Sequence, residues 1–67
     1  MQDVVVNVGK SLSHQAFKAV APEFPNLWRT GLTREDAVTA FSDDYALFRE
    51  MGMNFIFVQL PDEVEVY

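Results

Sequence analysis

Between Met53 and Leu60 the chain is apolar at both parities, with Met53, Phe55 and Phe57 on odd positions and Ile56, Val58 and Leu60 on even ones. Alternate side chains of a strand leave opposite faces, so this segment predicts a strand that needs cover on both sides. Val4, Val6 and Val8 alternate with Val5 and Asn7, and this density of β-branched residues predicts a second strand over about Gln2 to Val8, broken by Gly9. After Gly9, Ser11 or Ser13 is placed to cap a short helix in which Leu12, Ala16, Phe17 and Val20 share one side, and Pro22 ends it. The residues before Pro22 and Pro25, Ala21 and Phe24, are pushed toward extended backbone, which predicts an irregular connection from Ala21 to Thr30 anchored by Leu27 and Trp28.

Gly31-Leu32-Thr33-Arg34-Glu35-Asp36 has the composition of a helix start. Thr33 is a good cap, acids occupy the first turn where the helix dipole favours them, and Leu32 is placed to staple onto the following turns. From Arg34 to Met51, Ala37, Val38, Phe41, Tyr45 and Phe48 recur at three- and four-residue steps, so the helix is amphipathic, with Gly52 as a left-handed stop. Leu60-Pro61-Asp62-Glu63 is a turn signal, and Val64 and Val66 alternate with Glu63, Glu65 and Tyr67 as a charged edge strand forming a hairpin with the strand before it. The pattern predicts a small two-layer α+β domain, residues 1–67 as one unit, in the order β-α-α-β-β. Both helices lie on one face of a roughly three-stranded sheet, and the other face is left open and apolar.

Composition narrows the partners. The chain has 67 residues with a formal charge of −5 and a pI near 4.5, a balance that opposes direct contact with nucleic acid or an anionic membrane. There is no cysteine, hence no disulfide framework, and the reading is a cytoplasmic protein. No stretch approaches the roughly 20 apolar residues of a membrane-spanning helix, and the N-terminal segment has no basic flank of the kind a signal peptide carries.

Candidate chemistry is sparse. Val8-Gly9-Lys10-Ser11 follows a strand as a phosphate-binding loop does, but Val4 stands where that motif requires its first glycine, and only a weak anion site at Lys10, Ser11 and Ser13 is left. His14, the single histidine, lies near these serines; without a strained nucleophile turn or second base, no catalytic residue is assigned. The acid pairs Glu35-Asp36 and Asp43-Asp44 lack the spacing of a calcium loop, and no metal or cofactor is expected. Trp28-Arg29 has the composition of a binding hot spot, although a tryptophan in so small a chain is more often a core plug. The connection before Leu32 is too long for a helix-turn-helix motif.

These residues predict a non-enzymatic, acidic protein-interaction module. It is expected to form a homodimer through the open sheet face, or to bind another protein, with Val5, Phe55, Phe57, Val58 and Tyr67 in the interface. Two alternatives are a phosphate or small-ligand binder using Lys10, Ser11, Ser13 and His14 at the first helix start, and an acidic antagonist of phage type whose Glu35, Asp36, Asp43 and Asp44 occupy the groove of a nucleic-acid-binding protein.

Overall fold

A computed structural model describes residues 1–66, and Tyr67 lies outside the described residues. The chain runs β1 (Gln2–Ser11), β2 (Ala16–Ala21), β3 (Phe24–Gly31), α1 (Arg34–Asp44), α2 (Ala46–Glu50) and β4 (Met53–Gln59). The architecture is α+β: two helices pack on one face of a mixed four-stranded sheet of order β3-β2-β1-β4. β1 pairs antiparallel with β2 and parallel with β4, and β2 pairs antiparallel with β3.

The core forms where the sheet meets α1. Val4, Val6 and Val8 of β1, Ala19 and Ala21 of β2, and Ala37 and Phe41 of α1 are fully buried. Phe41 is the centre of an aromatic cluster, with ring centroids 4.8 Å from Tyr45, 5.0 Å from Phe55 and 5.8 Å from Phe57. The near-perpendicular ring pairs match the geometry that aromatic quadrupoles favour. Small alanines on β2 and α1 let helix and sheet approach closely. Gly31 takes this furthest: a Cβ there would lie 2.5 Å from the Ala37 amide nitrogen.

Helix α1 begins as its sequence indicates, with Thr33 accepting a hydrogen bond from the Asp36 amide at 3.0 Å. Leu32, however, is exposed and makes no staple. The expected single helix to Met51 is divided at Tyr45, whose φ of −111° and ψ of 23° leave helical geometry. Gly52 then reverses the chain at φ 101°, a conformation that glycine adopts at no steric cost.

Three further expectations are corrected. Residues 11–20 form a β-hairpin, not a helix: Ser11 to Ala16 turn with Gln15 at φ 52°, and Phe17, Ala19 and Ala21 face the helices while Lys18 and Val20 face away. The alanines carry helical propensity, but the buried valine row of β1 needs a neighbour, and Val8 opposite Ala19 supplies one. Next, the expected irregular connection from Ala21 is β3, with Pro25 tolerated because this strand is an edge. Last, the C-terminal segment does not fold back on β4. It turns over Pro61–Val64, with Val64 N–H donating to Pro61 O at 3.0 Å, and continues along β1, where Val66 N–H donates to Lys10 O at 2.7 Å. β4 is thereby left as an edge strand.

Candidate interaction surface

The sheet face turned away from the helices is divided into three zones. Over β2 and β3, Trp28 lies 36% exposed, its ring 5.1 Å from His14 and 4.9 Å from the Lys18 ammonium. Trp28 is thus a cover on the outer face and not the plug of the core. It shields Lys18, which is only 7% exposed and gains a cation–π contact there. In the centre, the C-terminal segment crosses Gly9, where an added Cβ would meet Val66 at 2.9 Å and Leu60 at 3.4 Å. Over β1 and β4 the face is bare: Val5, Ile56 and Val58 are 39%, 41% and 39% exposed. They are neighbours across one ladder, Val5 opposite Ile56 and Asn7 opposite Val58.

β4 is under-covered on its helix side as well. Met53, Phe55 and Phe57 face the helices and are only half buried: α1 packs chiefly over β3 and β2 and reaches β4 through Phe41, and the short α2 covers the start of the strand. Of the residues expected in an interface, Val5 and Val58 are on the outer face, Phe55 and Phe57 are turned inward around Phe41, and Tyr67 lies outside the described residues. Ile56, not among those residues, is the most exposed member of the bare patch. Its parity with Val58 was the available signal.

Leu12, Leu32, Leu47 and Met51 are also exposed, on turns and helices outside the sheet face, while the polar side chains around Tyr45 and Arg34 engage one another. Tyr45 Oη accepts from Trp28 N–H at 3.2 Å and from Arg29 Nη1 at 2.6 Å, and Arg29 Nη1 also donates to Trp28 O at 2.6 Å. Arg29 pairs with Asp44 at 2.5 Å, and the Asp44 hydrogen bond raises the guanidinium pKa above its ordinary value. Arg34 ties the start of α1 to the C-terminal segment, donating to Val8 O at 3.1 Å, to Gln59 at 3.3 Å and to Asp62 at 2.8 Å. The Arg34 hydrogen bond, with the Lys10 charge adding to it, holds the Asp62 carboxyl below its usual range.

The expected anion site is not assembled. No helix begins at Ser11, and Lys10 and Ser11 take opposite sides of β1: Lys10 is exposed, while Ser11 is buried and within 3.0 Å of His14 Nδ1 and 3.2 Å of Ser13 Oγ. Ser11 as a residue is only 1% exposed, and its hydroxyl is held by His14 and Ser13. The adjoining depression, which Lys10 and Ser11 line together with Leu12, Phe17 and Leu32 among others, is about 240 Å³, below the usual range for ligand pockets. Of the α1 acids, Asp44 is occupied by Arg29. No group of His, Asp or Glu residues with metal-binding geometry occurs among the described residues, and no described helix is long and apolar enough to cross a membrane. Compared with known proteins, the chain matches no family model, no curated protein and no solved structure.

Proposed function

We propose that this chain is a non-enzymatic protein-interaction module that acts in the cytoplasm as a homodimer, joined through the β1–β4 side of its sheet. The observation that carries the reading is the bare patch of Val5, Ile56 and Val58 beside a strand whose other face is only half covered. Exposed apolar side chains that are contiguous, on a chain too small to cover them itself, mark a contact surface. The patch contains no charge, so a second acidic copy meets no like charge at its centre. A stable pair buries on the order of 1,200–2,000 Å² in total, which a dimer through this side must draw from β4 together with its flanking faces.

The test is Ile56→Lys, which places charge in the patch while leaving the core untouched. The variant should be monomeric at concentrations where the parent is dimeric, with the thermal stability of the monomer retained. A variant that associates as the parent does would remove the patch from the interface.

A further inference from the structure

The two edges of the sheet are treated oppositely by this sequence. β3 carries Pro25 and Arg29, its pairing with β2 is interrupted by a register shift at Val20/Ala21, and α1 packs against it. At Trp28 the backbone N–H and C=O are taken by Tyr45 Oη and Arg29 Nη1. These are the recognised means of keeping an edge from pairing with another chain. β4 has partial helix cover on one face and none of the others. Met-Asn-Phe-Ile-Phe-Val-Gln contains no proline, glycine or charge and runs in unbroken register along β1, and it is the one strand of the four without a charged residue.

The parallel ladder also fixes which β4 backbone groups are free. Gln2 N–H donates to Gly52 O at 2.8 Å and Leu60 N–H donates to Val8 O at 2.8 Å, so the even residues of this segment point their amides and carbonyls at β1. Met53, Phe55, Phe57 and Gln59 therefore present theirs outward, where no strand pairs with them among the described residues. We propose that β4 is a docking edge for a second copy of this chain, pairing antiparallel with its counterpart about a two-fold axis at Ile56, so that two four-stranded sheets become one continuous sheet. This rests on the homodimer reading above and specifies its geometry.

An antiparallel pair centred on Ile56 uses every outward group. Phe55 exchanges hydrogen bonds with the partner's Phe57, and Met53 with the partner's Gln59. On the helix side, each half-buried Phe55 gains an aromatic cross-strand neighbour, and on the outer face Ile56 meets its own copy at the close spacing of a non-hydrogen-bonded pair. Two-fold closure makes the contact self-complementary and ends it at a dimer. Within β4 no charge opposes it, and the acid nearest the seam on the outer face is distant. Asp3, the acid on β1 held by Asn54 at 3.2 Å, would be three strand spacings from its copy and offset along the strands as well, so at least roughly 14 Å away, beyond the screening length at physiological salt.

The chain is short enough for chemical synthesis, so the Phe57 amide can be N-methylated with the side chain and the β1 ladder intact. The proposal predicts a dimer dissociation constant raised at least about tenfold, because the modified donor occurs twice in the symmetric pair. It also predicts that in the parent the Phe55 and Phe57 amides gain hydrogen-exchange protection as concentration rises. That second readout holds even if the methylated chain folds poorly. If Ile56→Lys is monomeric but the methylated protein dimerises as the parent does, or if Phe55 and Phe57 amides exchange at a concentration-independent rate in a dimer, the contact is face to face and the edge proposal is overturned. If the parent is a monomer throughout, the homodimer reading itself falls and the edge pairing with it.

Discussion

Gly31 ends β3 tightly against the first turn of α1, and replacing it with alanine probes that junction directly. A Cβ at this position would be 2.5 Å from Ala37 N, 2.7 Å from the Asp36 carbonyl carbon and 2.7 Å from Asp36 Cβ. Ordinary contact for such atoms begins near 3.4 Å, and two of the three belong to helix backbone, which no rotamer change can move. The first turns of α1 must retreat, loosening Ala37 and Phe41 against the valines of β1. Overpacking of this kind costs about 1–3 kcal/mol, offset by about 0.4–1 kcal/mol because alanine restricts the unfolded chain. The net loss of roughly 1–2 kcal/mol corresponds to a Tm lowered by roughly 4–16 °C in a domain of this size. Urea melts followed by circular dichroism measure it, with Gly9→Ala as the comparison. At Gly9 the nearest atom is a methyl of Val66 at 2.9 Å, a side-chain tip near the end of the described chain, so that variant should lose less. Gly31→Ala as stable as the parent, or less damaging than Gly9→Ala, would refute this account of helix–sheet packing.

Two other substitutions test the polar clasps. Tyr45→Phe removes the group that satisfies Trp28 N–H and receives Arg29, and should cost about 1–2 kcal/mol in a urea melt; an unchanged midpoint would mean that water replaces the hydroxyl freely. Asp62 has a depressed carboxyl pKa in the folded state, so its contribution is present above the unfolded value of about 3.9 and is lost as pH falls through the lower folded value. The Tm difference between parent and Asp62→Asn should accordingly be present at pH 6 and shrink below about pH 4, and a difference independent of pH would contradict the Arg34–Asp62 clasp.

Local signals were legible where one physical rule dominates. Thr33 and the acids after it marked the start of α1, Gly52 marked the end of the helical stretch at α2 but not the break at Tyr45, and the two-sided apolar run marked β4. Phe17 to Ala21 was not legible in the same way, because Ala16, Phe17 and Val20 satisfy helical spacing while Phe17, Ala19 and Ala21 satisfy strand alternation. The choice was made by β1, whose buried valines take Ala19 as a cross-strand neighbour. Trp28 was misplaced for a related reason: a strand through Pro25 is improbable until the strand is known to be an edge. For the surface, the double-sided character of β4 was in the sequence. Which face turned outward depended on the helices packing over Phe55 and Phe57. Its edge status depended on the last residues pairing with β1, a contact that Val64 and Val66 share with any alternating hairpin strand.

The central claim, that the β4 side of this sheet joins two copies, is tested most directly by the mass of the unmodified protein across a hundredfold dilution at physiological salt, beside Ile56→Lys. The account predicts a parent mass that rises with concentration toward twice the 7.6 kDa of the chain while the variant stays at one. A folded parent at 7.6 kDa over the whole range, or a parent and variant that associate alike, would contradict it.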